Sequence, residues 1–225
     1  MKVISYNLRK HRAATELVAL VSQHEPDILC LQECDVQGLP ERIGDLVLAD
    51  ATQGNRLGLA LYYRTNTFRL QRIRAIELKK SLHDRMLKPA HERVLGARLL
   101  DIDDGRELIV ASFHAAPLTA RNSLRRNQIK AAHEALGKLG DNLPAIMVGD
   151  YNYPLFTGKL IKHVEKSGYD LTRSDRQTYL RYKIFRGHFD FVTSTGVTVQ
   201  SVETLPQGVS DHLPIMITAH VERLP

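Results

Sequence analysis

Cysteine is scarce in this 225-residue sequence, which has only Cys30 and Cys34. Two cysteines cannot build the disulfide framework of a small secreted domain, and a C-x3-C pair alone lacks the four ligands of a structural zinc site. Cys30 lies inside the apolar run Ile28–Gln32 and reads as core. A secretory leader is not visible, because Met1–Tyr6 already alternates like a strand. Nor is any stretch long and apolar enough to span a bilayer. Internal repeats, low-complexity tracts and Gly/Pro/Ser linkers are missing too. The expectation is therefore one domain over residues 1–225, a monomer in a reducing cytoplasm.

Hydrophobic residues make up 43% of the chain, enough for a sizeable core, so disorder is not the default reading. The formal charge is +6, and it is unevenly spread. From Arg64 to Arg98 ten Lys/Arg face Glu77, Asp84 and Glu92, giving +7 there and −1 elsewhere. A local excess of this size suits a polyanionic partner, since phosphate contacts release counterions; a solvated face is the alternative reading.

Hydrophobic patterning predicts a strand at Val3–Asn7, a helix at Thr15–Gln23 broken by Pro26, and a buried strand at Ile28–Gln32. Further strands are expected at Leu57–Tyr63, Phe68–Leu78, Val94–Ile102 and Glu107–His114. The last two are joined by the turn Asp103-Asp104-Gly105. A helix follows at Arg121–Leu139, then a strand at Pro144–Val148 and a helix at Lys159–Lys166. Phe189–Ser194, Val197–Leu205 and Ile215–Val221 complete the strands, and Lys79–His91 has no clear period. Many strands with few helices predict an α/β fold: a four-layer α/β-β/α sandwich of two mixed β-sheets with flanking helices. The hairpin excludes a purely parallel sheet.

Eight polar residues share one context, each at the end of an apolar run or within one. They are Asn7, Glu33, His114, Asp150, Asn152, Asp190, Asp211 and His212. Strand ends are where a rigid scaffold delivers side chains into a cleft. Singly, each has a second reading: Asn7 as a helix cap, Glu33 as an exposed carboxylate, the histidines as satisfied core groups, Asp150-Tyr151-Asn152 as an Asx-turn. Together they are chemically coherent. Carboxylates and amide oxygens suit Mg²⁺, imidazoles move protons and bind phosphate, and no short-spaced His cluster favours zinc.

The motifs Ser5-Tyr6-Asn7, Leu31-Gln32-Glu33, Ser112-Phe113-His114, Gly149-Asp150-Tyr151-Asn152, His188-Phe189-Asp190-Phe191-Val192 and Ser210-Asp211-His212-Leu213-Pro214 resemble, in order, those of the endonuclease/exonuclease/phosphatase superfamily. The resemblance implies a metal-dependent phosphoric ester hydrolase with Mg²⁺, or Mn²⁺ in its place. Glu33 would be the main metal ligand, with Asn7 and Asp211 close to the ion. Asp150 would deprotonate the attacking water, and Asn152 would hold Asp150 and a phosphate oxygen. His212, oriented by Asp190, and His114 would flank the scissile phosphate. Gly58–Arg64 is similar to a strand of the family, which gives Arg64 either a structural or a phosphate-binding role. Tyr6 and Tyr151 depart from the usual Trp and Phe, and the second Glu of a deoxyribonuclease-like Glu–His pair has no identified counterpart.

Two segments bear on the substrate. Thr178–Arg186 interleaves aromatics with Arg181, Lys183 and Arg186, as a nucleic-acid edge would, although an alternating strand with one buried face reads the same way. Arg121 and Arg125 share a helical face soon after His114 and could line the cleft or a solubilising turn. A DNA or RNA phosphodiesterase is the first expectation. A phosphatase or phosphodiesterase of an inositol phosphate or phospholipid headgroup is the alternative, and a binding module with a dead site is disfavoured because the catalytic set is complete.

Overall fold

The structure, a computed structural model, describes residues 1–55, 57–81, 91–180 and 186–222. The chain opens with β1 (Lys2–Asn7), a 3-10 turn (Arg12–Glu16), α1 (Leu17–His24) and β2 (Ile28–Cys34). Next come β3 (Arg42–Ile43), β4 (Leu46–Ala51) and β5 (Gly58–Arg64). With β12 (Val197–Thr204) and β13 (Ile215–Val221) they form a seven-stranded sheet in the order β12-β13-β1-β2-β5-β4-β3.

The second sheet holds β6 (Phe68–Glu77), β7 (Glu92–Asp101), β8 (Glu107–His114), β9 (Ala145–Asp150), β10 (Asp170–Arg173) and β11 (Asp190–Thr195). Its order is β10-β11-β9-β8-β7-β6. Two helices accompany it, α2 (Asn122–Gly137) and α3 (Thr157–Glu165).

Each sheet has one parallel pair near its middle, β1 with β2 and β8 with β9. Parallel neighbours need a crossover, and α1 and α2 supply them. The other pairs are antiparallel, including β7 with β8 across the expected turn. The two mixed sheets and outer helices are those the sequence predicts.

Strand alternation makes three apolar layers. Val3, Cys30, Leu61, Val110, Val148 and Val192 meet between the sheets. Tyr6, Leu29 and Leu31 face outward onto Leu17 and Val21 of α1, while Ile109, Ala111 and Met147 face Ile129 and Leu136 of α2 and Leu160 of α3. Each buried aliphatic side chain contributes about 1.5–3 kcal/mol, so the pattern, repeated along eight or more strands, dictates the register.

Some expectations are corrected. The helix expected at Thr15–Gln23 is a 3-10 turn followed by α1, which ends at Glu25 in a left-handed conformation (φ 46°). The strands β3, β4 and β10 were not predicted, because β3 is two residues long and β10, an edge strand, has no fully buried residue in its pattern. Most of the aperiodic stretch at 79–91 lies outside the described residues.

Candidate active site

Moving up the inner faces towards one end of the sandwich, the side chains change character. On β1 Val3 is followed by Ser5 and Asn7, on β2 Cys30 by Gln32, on β8 Val110 by Ser112 and His114, and on β9 Val148 by Asp150. The middle tier is a buried hydrogen-bonded layer. Gln32 Nε2 donates to Ser5 Oγ (3.2 Å) and, across the sheets, to Ser112 Oγ (2.9 Å), which donates to the Leu31 carbonyl (3.0 Å). Paired in this way, the polar groups escape the penalty of burial and lock the two sheets in register just beneath the upper tier.

Asp150 is the centre of that upper tier. Its backbone pairs with His114 on one side and Asp190 on the other. Its Oδ2 accepts a hydrogen bond from Asn7 Nδ2 (3.1 Å) and lies 3.6 Å from His114 Nε2 and 3.7 Å from His212 Nε2. Its Oδ1 accepts the Asn152 amide (2.8 Å). The side chain is buried, and burial pushes its pKa up to about 7, against the pull of the His212 charge. A carboxylate of that basicity can take a proton from water near neutral pH.

His212 is held by Asp190, whose Oδ2 accepts its Nδ1–H at 2.9 Å, by the Ser210 hydroxyl, which accepts its backbone N–H, and by the edges of Tyr179 and Phe189. Burial alone would discharge it; Asp190 and Asp150 outweigh that and raise the pKa to about 9, so the ring is cationic at neutral pH. With Nδ1–H committed to Asp190, Nε2–H faces the cleft. His114 is the opposite case: burial, with Arg93 adding to it, lowers its pKa to about 4, leaving a neutral imidazole. One fold thus keeps two imidazoles in opposite charge states beside one carboxylate.

Gly149 makes this arrangement possible. At φ +145° it presses on β8, and a Cβ there would lie 2.0 Å from the Phe113 carbonyl oxygen. Gly149→Ala is expected to cost ~3 kcal/mol or more, read as a fall in the urea midpoint; an unchanged midpoint would show that the strand has room to move.

Glu33 stands at the end of β2 where the register with β5 shifts, at a left-handed φ of 55°. The turn after β1 wraps it. Arg9, Lys10 and His11 are all left-handed, the Lys10 amide donates to Glu33 Oε2 (2.8 Å) and the His11 amide to its carbonyl (2.8 Å). The Arg9 amide donates to Asn7 Oδ1 (3.0 Å), fixing which end of Asn7 points at Asp150. Strain of this kind persists only where the surroundings over-determine it. Glu33 Oε1 accepts no hydrogen bond from the described residues and is available to a cation. Asp211 lies 3.7 Å from Arg9 Nε, beside a cleft of about 260 Å³ lined by Arg9, Leu180, Gln207 and Val209. Asp150, Asp190 and His212 are themselves a buried group able to hold a metal, their ligand atoms lying within 4.8 Å of one another.

The basic residues proposed for substrate fare differently. Arg64 is at the wrong end: β5 runs antiparallel to β2, so Gly58 lies beside Cys34 at the site while Arg64 pairs with Asp27 and Asp45 at the far edge, a structural role. Arg125 is buried; its Nη1 donates to the Pro117 carbonyl (2.6 Å) and its Nη2 to Asn122, so it braces the loop after His114 instead of facing a ligand. Arg121 and Arg186 are exposed, and Arg181 and Lys183 lie outside the described residues.

Four residues near the centre escaped sequence reasoning in these roles. The Ser210 hydroxyl bonds the Asn7 carbonyl (2.7 Å) and anchors His212, Tyr179 packs on His212, and Gln32 with Ser112 makes the middle tier. Ser210, Gln32 and Ser112 sit inside the quoted motifs, and that was their only signal.

A second buried imidazole network lies behind the site. His133 joins Ser167 (2.8 Å) and Thr193 (2.9 Å), Thr193 joins Tyr151 (2.9 Å), and the ring stacks on Tyr169. Burial lowers its pKa to about 3. From pH 6.5 down to 3 the unfolded chain therefore binds a proton that the folded one refuses, and stability present above pH 6.5 is lost by up to ~1.4 kcal/mol per pH unit. Replacing His133 with Gln is expected to flatten the fall in melting temperature between pH 6 and 4 (roughly the window in which only the unfolded state charges). An identical fall in the variant would place the titration elsewhere.

Known proteins carry the same arrangement of elements. Residues 4–212 match the Endonuclease/Exonuclease/phosphatase family. Protein angel of Drosophila melanogaster is 26% identical over 164 residues, 66% of this chain but only 44% of its own length, so the chain spans less than half of that relative. The solved Bacteroides thetaiotaomicron mannosyl-6-phosphatase superposes with a TM-score of 0.79 at 18% identity, covering 98% of this chain and 99% of that one. D. rerio TDP2, complexed with a single-strand DNA product, gives 0.75 at 16%, covering 98% and 99%. The family match from Ile4 in β1 through His212, over nearly the whole chain, shows that the chain belongs to the endonuclease/exonuclease/phosphatase family.

Proposed function

We propose that the chain is a Mg²⁺-dependent phosphodiesterase of DNA or RNA, Mn²⁺ serving as a substitute. The observation that carries it is the convergence on Asp150 of a cationic His212, a neutral His114 and Asn7. Phosphodiester hydrolysis needs an aligned and deprotonated water, a neutralised phosphate and a stabilised leaving oxygen. Asp150 takes the proton. Asn152, whose amide fixes Asp150, leaves its side chain near the phosphate. His212 Nε2–H donates to a non-bridging oxygen, its charge maintained by Asp190. His114 offers its Nε2 from the other side.

Glu33, with Asn7 and Asp211, is the proposed cation pocket. Its oxygen donors suit a hard ion. The Asp150–Asp190–His212 group fits less well, because a cation there would break the 2.9 Å hydrogen bond that orients His212. When bound, the ion supplies charge neutralisation at the phosphate and leaving oxygen. Glu33→Ala is expected to raise the Mg²⁺ concentration for half-maximal rate at least about tenfold and to weaken Mg²⁺ binding by calorimetry. Unaltered metal binding would move the ion to the other group.

The test of function is a panel of single-stranded, duplex and abasic DNA and RNA, with and without EDTA. A phosphomonoester reading has its own support in the mannosyl-6-phosphatase, so mannose 6-phosphate and inositol polyphosphates belong in the panel. Phosphate release from those, with every nucleic acid left intact, would overturn the proposal.

A further inference from the structure

Past the site the chain runs Asn152-Tyr153-Pro154-Leu155-Phe156 into α3. Tyr151 and Tyr153 are buried, yet the next large residues turn outward: Leu155 is 60% and Phe156 66% exposed. Phe156 does so at φ 61°, ψ 37°, a left-handed conformation in which a bulky aromatic is an outlier. The residue is mostly exposed, so burial offsets little of that strain, and the fold holds an aromatic surface towards solvent at a cost.

His114 and Asp150 pair across parallel strands, so residues 115–121 and 151–156 leave the same end of the sheet. Leu118, also exposed, stands on the first of these loops. Arg126 Nη1 donates to Tyr153 OH (2.7 Å), and His163 Nε2 meets the Arg126 carbonyl (2.9 Å), tying α2, α3 and the 151–156 loop together. The shelf is therefore braced. Lys159 Nζ lies 5.7 Å from the Phe156 ring centroid, and Arg121 is exposed at the start of α2. Phe156 is four residues from Asn152, at most about 14 Å of chain, which is the span of a few stacked nucleotides.

We propose that Phe156, with Lys159 beside it, is a stacking platform for a nucleobase flanking the scissile phosphodiester, so that the substrate is engaged as an unpaired strand. The inference deepens the phosphodiesterase reading and rests on it. An aromatic face accepts any base, and the adjacent ammonium meets the backbone phosphate. A lipid surface is the competing occupant, but three exposed apolar side chains (Leu118, Leu155, Phe156) make a small patch, and the aromatic–cation pair fits a base on its phosphate better.

The experiment compares wild type, Phe156→Ala, Phe156→Trp and Phe156→Gly on a single-stranded oligonucleotide and on the same oligonucleotide with the bases flanking the cut removed. Phe156→Ala is expected to raise KM at least about fivefold on the first and to leave the second unchanged, with Phe156→Trp restoring it. Phe156→Gly should raise KM equally while raising the melting temperature, because glycine relieves the left-handed strain. Equal effects on both oligonucleotides, or none, overturn the platform. So does a loss confined to sedimentation with phosphatidylglycerol vesicles, which would assign the shelf to lipid. Should no nucleic acid be cut, oligonucleotide binding by fluorescence anisotropy still decides: affinity lost in Phe156→Ala supports the platform, and affinity retained removes it.

Discussion

Asp150→Asn is expected to lower turnover by at least ~10²–10⁴-fold, the range for a lost acid–base group, while the fold survives. The substitution keeps size and shape but removes the ability to take a proton. It also keeps one anchor, because an amide oxygen can still accept the Asn152 N–H that now bonds Oδ1. The other position becomes an NH₂ group facing Asn7 Nδ2, and Asn7 cannot turn freely because its Oδ1 holds the Arg9 amide. A clash of two donors there costs about 1–3 kcal/mol.

A second effect has the opposite sign. The pKa of Asp150 is raised in the folded protein, so its contribution to stability is present at low pH and lost as pH rises through about 7. Relative to wild type, the variant should therefore be more stable at pH 8 than at pH 4. The pair of measurements is turnover on the best substrate of the panel and thermal melts at both pH values. Near-wild-type turnover in a folded variant would remove Asp150 as the base.

Strand ends were legible in the sequence because alternation and the motif residues reinforce each other. On β8, Leu108, Val110 and Ser112 share a face with His114, so counting by two from an apolar residue arrives at the polar tier around Asp150. What sets that tier apart was less legible. Glu33 is presented by a left-handed residue at a bulge, stabilised by three successive left-handed residues of which none is Gly or Asn. No local preference announces such a turn; only tertiary hydrogen bonds to Glu33 select it.

Charge was the weakest guide. Arg64 and Arg125 carry the same charge as Arg121, yet one is paired at the far edge and another is spent on carbonyls, since a guanidinium with several donors is as useful to a buried loop as to a phosphate. Direction along the strand, which only the topology of β5 supplies, decides Arg64. Phe156 was invisible for a related reason: in a sequence an aromatic reads as core, and its exposure follows from one backbone angle.

His212→Ala is expected to match Asp150→Asn in size, again ~10²–10⁴-fold, but with a different signature. The ring's charge is set by its neighbours: burial would remove the proton, and Asp190 with Asp150 retain it up to about pH 9. Removing the ring deletes the cation proposed to face the phosphate and leaves Asp190 buried without its 2.9 Å partner, so stability also falls. Asp190→Asn separates the two roles. The ring stays, but the largest influence holding its proton is gone, so the alkaline limb of the activity profile should move to lower pH while the rate at pH 6 falls less. Exogenous imidazole should partly restore His212→Ala and do nothing for Asp150→Asn, because only the first variant leaves a ring-shaped vacancy. An alkaline limb that stays put in Asp190→Asn would mean that His212 does not act as the charged form, and the phosphate charge would then have to be neutralised by the metal ion alone.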